Sequence, residues 1–299
     1  MEQLSHSNLM KKFLVFVNPH SRQGAACLEQ VEAWMKEQNH QIINPTFDPD
    51  KQDMKLLIHQ LHVDADAIII GGGDGSVQHA LPALLKISKP LLVLPLGTAN
   101  NLARTLKIPA EVPQALSLLE APKTKMLDVG IVNGIPFMTV VGVGLSTRVN
   151  RLTQSHWKRW FGKLAFVFTA LKVAFNMDPF RIEIICDGKR HISKSWQVTV
   201  CNGSTYGTNL PISDDATLLD NQLHGLSTEV KSIWEGFTLI PHLLRGKFPS
   251  ELPVTDFKGK EIEIITRRHH HVDVDGDIHT KTPVKISVKP KALLVIVPA

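Results

Sequence analysis

An α/β domain followed by an antiparallel β domain is the architecture this sequence predicts. Short strands apolar on both faces, at residues 13–17, 67–70 and 91–94, alternate with helical patterns, the signature of a parallel sheet covered on both sides. Past about residue 125 the texture changes to short strands of mixed alternation, separated by turn signals such as Asn133-Gly134 and Asp187-Gly188, as antiparallel pairing requires. Polar turns follow residues 17, 70 and 94. All three fall at the carboxyl edge of the predicted parallel sheet, where such folds bind ligands.

The first strand, Phe13-Leu14-Val15-Phe16-Val17, ends at Asn18-Pro19-His20-Ser21-Arg22, and the next helix carries Ala25, Leu28, Val31 and Met35 on one face. Residues 40–46 form a weaker strand and 54–61 a short helix. The strand at 67–70 runs into Gly71-Gly72-Gly73-Asp74-Gly75-Ser76, and a helix continues to Lys86. The strand at 91–94 enters Pro95-Leu96-Gly97-Thr98-Ala99-Asn100-Asn101, and a helix continues to Leu106. Further strands are expected at 126–130, 135–143, 181–187, 191–201, 261–266 and 285–288, with helical insertions near 155–176 and 230–244. The apolar run at 292–297 is expected to return to the first domain. The expected division is therefore 1–125, 126–290 and a terminal strand within 291–299.

A chain of 299 residues accommodates two cores. It is 43% hydrophobic and 20% charged, ordinary for a globular protein. The net charge of +5 suits an acidic partner such as a nucleotide, an anionic membrane or a nucleic acid, and equally an ordinary basic enzyme with no such partner. Cys27, Cys186 and Cys201 have no metal-like spacing, and their odd count fits a reducing cytoplasm better than a disulfide framework. Residues 1–12 contain no apolar signal core, and no apolar run is long enough to span a bilayer. A cytoplasmic location is expected.

A buried strand that delivers the backbone into a turn almost free of side chains, with a helix opening at once, brings amide N–H groups to a phosphate. The carboxylate of Asp74 inside that turn would repel phosphate unless a metal ion lay between them. The turn is not a Walker A loop, because no Gly-Lys-Ser/Thr follows, and its contiguous glycines do not match the dinucleotide fingerprint. Alone, it is also compatible with a tight turn that holds no ligand.

The order of segments is more specific. Asn18-Pro19-His20-Ser21-Arg22, Gly72-Gly73-Asp74-Gly75-Ser76 and Pro95-Leu96-Gly97-Thr98-Ala99-Asn100-Asn101 are followed by Leu127-Asp128-Val129-Gly130, Asn202-Gly203 and Tyr206-Gly207. Asp215-Ala216 with Asp220, then Val274-Asp275-Gly276-Asp277 and Thr282-Pro283, complete the set. Together, over nearly the whole chain, they resemble the diacylglycerol kinase catalytic domain family, which includes bacterial lipid kinases and sphingosine kinases. The resemblance implies an N-terminal α/β nucleotide domain related to those of NAD kinases and phosphofructokinases. It also implies a C-terminal β-sandwich with lipid-binding elements, the active site lying in the cleft between the two.

It implies roles as well. Asn18, Pro19, His20, Ser21 and Arg22, with Gly72, Gly73, Asp74, Gly75, Ser76, Val77 and Gln78, should wrap the phosphates and ribose of ATP, and Thr46 and Thr98 should also touch the nucleotide. Asp74 and Asp128 should act through Mg²⁺ or its ordered waters. Asp220, with Thr217 and Gln222, matches a structural Mg²⁺ site. Asp275 and Asp277 match the acidic pair where the catalytic base is placed. In one strand the two would point to the same side, whereas an Asp-Gly-Asp run is also ordinary hairpin-tip chemistry.

Several positions depart from the family pattern. Asn101 stands for an Asp, which removes one carboxylate from the inferred metal network. Asn221 replaces a common Gly, His224 a frequent Asp and Asp214 a frequent Pro. Asp277 is one methylene shorter than the usual Glu, and Ser76 keeps the hydroxyl of the usual Thr. These changes put the metal sites in question more than the nucleotide loop.

Residues 148–175 contain Arg148, Arg151, Lys158, Arg159, Lys163 and Lys172 interleaved with Trp157, Trp160, Phe161, Phe166 and Phe168, and no acidic residue. That composition suits an anionic membrane interface and also a local core with solvated charges. The resemblance favours membrane approach, peripheral on the inner face. No nucleic-acid motif is present, so nucleic acid is not an expected partner; a homodimer is compatible with the reading. His269, His270 and His271 alternate in direction if they share a strand, and so are read as surface rather than as a metal site.

The expected function is ATP- and Mg²⁺-dependent phosphorylation of a lipid hydroxyl, diacylglycerol first. A catalytically weakened nucleotide- or lipid-binding protein on the same scaffold is the alternative. A soluble kinase of the NAD kinase type shares the Gly-Gly-Asp-Gly turn, but the C-terminal Asp-Gly-Asp segment and the basic aromatic stretch argue against it.

Overall fold

The computed structural model describes residues 10–18, 23–43, 47–148, 178–203, 205–206, 210–211, 216–229, 235 and 253–299. Pro19, His20, Ser21, Arg22, Thr46 and Asp214 lie outside them, as do the helical insertion expected at 155–176, nearly all of that at 230–244, and the basic aromatic stretch beyond Arg148. The chain divides into two units: Met1–Leu127 with Lys291–Ala299, and Asp128–Pro290.

The first unit is built on a parallel sheet. Strand β1 (Lys12–Val17) lies between β2 (Gln41–Ile42) and β3 (Ala67–Gly72), and β3 pairs with β4 (Leu91–Pro95). Residues of these strands alternate between faces, yet Phe13, Leu14, Val15, Phe16, Ile68, Ile69, Ile70 and Leu92 are all essentially solvent-free. Both faces are therefore covered, each large apolar side chain contributing roughly 1.5–3 kcal/mol. Helices α1 (Gly24–Glu37), α2 (Met54–Leu61), α3 (Asp74–Leu84), α4 (Asn101–Thr105) and α5 (Val112–Leu116) alternate with the strands. The cap of α2 is explicit: the Asp53 carboxylate accepts the Lys55 N–H at 2.9 Å. The weak strand expected at 40–46 shrinks to Gln41–Ile42.

Strand β5 (Lys123–Val132) carries the chain into the second unit, which is antiparallel throughout its described pairings. One sheet has the order β14 (Val254–Gly259), β13 (Leu223–Thr228), β10 (Gln197–Cys201), β7 (Val140–Gly144), β16 (His271–Val274) and β17 (Asp277–Lys281). In the other, β15 (Glu261–Thr266) pairs with β8 (Phe180–Cys186) and with the first half of β18 (Val284–Val297), β8 pairs with β9 (Lys189–Ser195), and β5 pairs with β6 (Ile135–Phe137). A small hairpin joins β11 (Thr205–Tyr206) to β12 (Leu210–Pro211). Val141, Val143, Val198, Val200 and Val272 of the first sheet and Ile182, Ile184, Ile262 and Ile264 of the second form one buried core, as in a β-sandwich.

The two-residue turns Asn133-Gly134 and Asp187-Gly188 have both residues at positive φ, the hairpin geometry that such pairs favour. Four expected strand runs take a different form. The run at 135–143 divides into β6 and β7, because the N–H groups of Met138, Thr139 and Val140 turn to a carboxylate described below. The run at 191–201 divides at Trp196, where the chain leaves β9 in one sheet for β10 in the other. The runs at 285–288 and 292–297 are instead one strand, β18, whose last part belongs to the first unit and runs parallel to β4 with Val295 opposite Leu91.

No helix among the described residues is long and apolar enough to cross a membrane. The three cysteines are free, and burial pushes the Cys27 thiol up to about 11, so it is protonated at neutral pH. Of the adjacent histidines only His271 lies in a strand. His269 Nδ1 is 2.6 Å from the Thr282 carbonyl oxygen, and His270 stacks on Phe180 with ring centroids 4.2 Å apart. His269 is exposed, but His270 and His271 are half-buried, so the surface strand expected here is only partly formed.

Candidate active site

In the first unit the ends of β3 and β4 make one backbone construction. The Leu96 N–H donates to the Gly72 carbonyl at 3.0 Å, extending the pairing one residue beyond the strands. A Cβ added at Gly97 would lie 2.6 Å from the Gly73 Cα, and one at Gly73 would lie 3.3 Å from the Gly97 Cα. Two glycines therefore pass back to back; a side chain at 97 would collide with the Gly73 backbone, and one at 73 would be tightly packed. A Cβ at Gly72 would strike Ser76 Oγ at 2.2 Å, so the bare backbone at 72 leaves room for the Ser76 hydroxyl. At Gly75 a Cβ would meet nothing within 4 Å; the helix start is open on that side.

Asp74 is the first residue of α3 and half-buried. Its Oδ2 accepts the Asn101 N–H at 3.0 Å and its Oδ1 the Leu102 N–H at 3.2 Å. One loop's carboxylate thus caps the helix that opens from the next, with the sign the helix dipole favours. Asn100 holds the intervening turn at φ 50°: its Oδ1 accepts the Gly97 N–H at 2.9 Å and its Nδ2–H donates to the Gly97 carbonyl at 2.8 Å. Short polar side chains tolerate this left-handed backbone best after glycine. Each Asp74 oxygen keeps a lone pair beyond its one N–H partner, so the group retains capacity for a cation's water shell.

The expected nucleotide residues are thus only partly brought together. Gly72, Gly73, Asp74, Gly75 and Ser76 form the turn. Val77 is 2% exposed, its side chain in the core, and its N–H donates to the Gly73 carbonyl at 3.4 Å. Gln78 is half-buried one residue further along α3, Thr98 is exposed on the second loop, and Asn18 is half-buried at the end of β1. Substituting Gly97→Ala is expected to destabilise the protein by about 1–3 kcal/mol through this steric conflict and to weaken ATP binding; thermal melts and nucleotide titration check it.

In the second unit Asp128 is 2% exposed. Its N–H donates to the Leu218 carbonyl at 2.8 Å and its Oδ2 accepts the Asn221 N–H at 2.7 Å. Buried Asn202 donates through Nδ2 to the Asp128 carbonyl at 2.8 Å and to the Met138 carbonyl at 3.2 Å. Asn221 sits at φ 56°, which explains why Asn can stand where Gly is common. Asp220 accepts the Thr217 N–H at 3.0 Å and the Gln222 N–H at 2.9 Å, and His224 Nε2 lies 2.9 Å from its Oδ2. Among the described residues no group of three or more His, Cys, Asp or Glu side chains is arranged to hold a metal ion. Thr217 and Gln222 turn backbone N–H donors onto the Asp220 carboxylate rather than oxygens toward a shared cation, so this loop does not fit the Mg²⁺ assigned to it.

Asp275 and Gly276, both at positive φ, form the turn between β16 and β17. The two acidic residues therefore do not share one strand face: Asp-Gly is turn chemistry, and the pair straddles a reversal. Asp275 turns inward and Asp277 is exposed. The Asp275 Oδ1 accepts the Thr139 N–H at 2.9 Å, the Thr139 Oγ1–H at 2.5 Å and the Val140 N–H at 2.8 Å, while Oδ2 accepts the Met138 N–H at 2.7 Å. Burial raises the Asp275 carboxyl above its ordinary range, against the lowering effect of these hydrogen bonds. The result is a fixed carboxylate, rather basic for its type, with one Oδ2 lone pair open.

Asn100, Thr139 and His224 complete these arrangements, and sequence reasoning gave none of them a role. Asn100 belongs to the Pro95–Asn101 segment, and His224 is a departure from the family pattern. Nothing in the sequence near Thr139 points to a residue 136 positions away.

A model of the diacylglycerol kinase catalytic domain matches residues 12–132, and a model of the YegS C-terminal NAD kinase beta sandwich-like domain matches residues 139–297. A "Putative lipid kinase" of Staphylococcus haemolyticus is 28% identical over 241 residues, 78% of this chain and 77% of that protein. An uncharacterized protein of Synechocystis is 28% identical over 237 residues, 77% of this chain, and the chain spans only 54% of that relative. Among solved structures, a "putative diacylglycerol kinase" from Bacillus anthracis has a TM-score of 0.81 at 24% identity, covering 100% of this chain and 98% of that one. A second structure, of a diacylglycerol kinase from the same organism, has a TM-score of 0.78 at 24% identity, covering 96% of this chain and 97% of that one. These two likenesses establish the fold, α/β followed by an antiparallel β-sandwich. The two domain matches, in order and nearly end to end, establish the family: the chain belongs to the diacylglycerol kinase catalytic domain family, kinases with a hydroxyl acceptor.

Proposed function

We propose that this protein transfers the γ-phosphoryl group of ATP to the hydroxyl of a membrane lipid, with diacylglycerol, giving phosphatidic acid, as the first acceptor. The observation that carries the reading is the pair of glycine loops at the carboxyl edge of the parallel sheet, locked by Asp74 and opening onto the start of α3. Backbone N–H groups at that helix start suit the phosphates of a nucleotide. Mg²⁺, bound with the nucleotide, would neutralise phosphate charge, and Asp74 is the residue with lone pairs to hold its water shell. Asp128, buried and committed to the Asn221 N–H, serves better as an anchor than as a direct ligand.

Phosphoryl transfer needs little from the protein beyond positioning, charge neutralisation and a base. In this reading the lipid hydroxyl gives its proton to Asp275 Oδ2 as its oxygen bonds to the γ-phosphorus. The bond from that phosphorus to the β–γ bridging oxygen breaks, ADP leaves, and the proton passes from Asp275 to water. Three backbone N–H groups and the Thr139 hydroxyl keep the carboxylate in place through the cycle. Asp277, exposed just past the turn, is assigned a supporting role on the acceptor side. The basic, aromatic composition of 148–175 supports a lipid surface as the source of that acceptor, and a peripheral position on the cytoplasmic face of the membrane is part of this proposal.

The pH dependence follows from the same contacts. A base must be ionised, so kcat/KM falls as pH drops through the raised pKa of Asp275. The Thr139 hydrogen bonds favour the ionised form. Replacing Thr139 with Val removes the hydroxyl donor, and the acid limb of the pH profile should move to higher pH. A limb that Thr139→Val leaves unmoved would remove Asp275 as the base. The acceptor is identified by offering vesicles of diacylglycerol, of sphingoid base or of other membrane alcohols beside soluble NAD. Phosphorylation of a lipid supports the proposal, and phosphorylation of NAD alone refutes it.

A further inference from the structure

The loop after Ala216 has a closure that its expected metal role does not explain. His224 is 4% exposed and sits in β13 opposite Cys201 of β10, so strand pairing fixes its position. Its Nε2 lies 2.9 Å from Asp220 Oδ2. An ionised carboxylate only accepts, so the imidazole Nε2–H is the donor. The same oxygen accepts the Thr217 N–H and the other accepts the Gln222 N–H. Oδ2 therefore has two donors, one for each lone pair. The Thr217 hydroxyl oxygen accepts the Leu219 N–H at 3.2 Å. A divalent cation requires the reverse arrangement, several oxygens converging with free lone pairs.

We propose that His224 closes this loop in place of a divalent cation, and that the loop so closed positions Asp128 without metal. The path to Asp128 is short. The Asn221 N–H donates to Asp128 Oδ2 and the Asp128 N–H to the Leu218 carbonyl, so residues on both sides of the Asp220 turn grip the same aspartate. His224 is a positioning residue acting through Asp220. An Asp at position 224 would set two carboxylates side by side, a pair that a cation must neutralise. The imidazole supplies a donor and removes that need. The inference concerns this loop alone and does not rest on the identity of the lipid.

Thermal unfolding of the full chain, without nucleotide, in EDTA and then in excess Mg²⁺ or Ca²⁺, tests it. The wild-type midpoint is expected to be the same in all three. His224→Asp should melt about 5–10 °C lower in EDTA, from the loss of one buried charge-assisted hydrogen bond and the new repulsion, and should recover with Mg²⁺ or Ca²⁺. His224→Gln, which keeps an N–H donor, should lose less and ignore the cation; it carries the test if His224→Asp fails to fold. A wild-type midpoint that rises with cation and loses that rise on Asp220→Asn would overturn the proposal. A rise that survives Asp220→Asn places the ion elsewhere and supports it. A folded His224→Asp indifferent to both EDTA and cation would also overturn it.

Discussion

Asp275→Asn is expected to lower kcat for lipid phosphorylation by about 10²- to 10⁴-fold, the contribution typical of a positioned general base. The geometry makes this substitution informative. The carboxylate receives four hydrogen bonds from consecutive residues Met138, Thr139 and Val140. An amide oxygen at the Oδ1 position can still accept from Thr139 and Val140. The amide NH₂ would then face the Met138 N–H, donor against donor, at a cost of about 1–3 kcal/mol. Loss of turnover must therefore be read at a temperature well below the variant's melting midpoint. ATP affinity, measured by equilibrium binding, should change little, because Asp275 belongs to the acceptor side of the proposed reaction. A variant that binds ATP normally and still turns over at the wild-type rate would show the Asp275 network to be only a fastening for the β6–β7 break.

The second large effect is expected from Asp74→Ala. This change removes both acceptors at the start of α4, leaving the Asn101 and Leu102 N–H groups without their carboxylate. Loss of such a cap costs about 0.5–2 kcal/mol. The larger consequence is geometric: the β4 loop loses its tie to the glycine turn, and misplacement of about 1 Å in a phosphoryl-transfer site can cost about 10²-fold in rate. We expect kcat/KM for ATP to fall by about 10²- to 10³-fold on these grounds. Asp74→Asn should fall between wild type and Asp74→Ala in stability, because one amide oxygen still caps one N–H, yet lose nearly as much activity, because the charge is gone. Melting curves and ATP-dependent initial rates on the same preparations separate the two effects. Activity that simply follows stability across both variants would reduce Asp74 to a helix cap.

Much of the first unit was legible because its signals are local. Strands apolar on both faces, a glycine turn and a helix that starts at once are properties of neighbouring residues, and α2 at Met54–Leu61 follows its sequence pattern to the residue. The second unit was legible in class and less so in detail. Its strand breaks come from distant partners: Asp275 takes the N–H groups that would have joined β6 to β7, and Trp196 marks a change of sheet that alternation alone cannot reveal. The same limit applies to the site. Asp74, Asp128, Asp220 and Asp275 were each singled out, but their hydrogen bonds reach 28, 93, 4 and 137 positions along the chain. The role of His224 could not be read from its type, because a buried histidine gains meaning only from the carboxylate beside it. Asn101 offers the opposite case. Its side chain drew notice as a missing carboxylate, whereas its backbone N–H makes the contact with Asp74.

The proposed activity is transfer of phosphate from ATP to a lipid hydroxyl. The direct measurement is the appearance of label from γ-labelled ATP in the organic-extractable fraction, using Mg²⁺ and vesicles that contain diacylglycerol. The expected result is a labelled product that migrates with phosphatidic acid, is abolished by leaving out the acceptor lipid, and falls with Asp275→Asn in proportion to its loss of kcat. A protein that binds Mg·ATP yet labels no lipid across diacylglycerols, sphingoid bases and other membrane alcohols would contradict it.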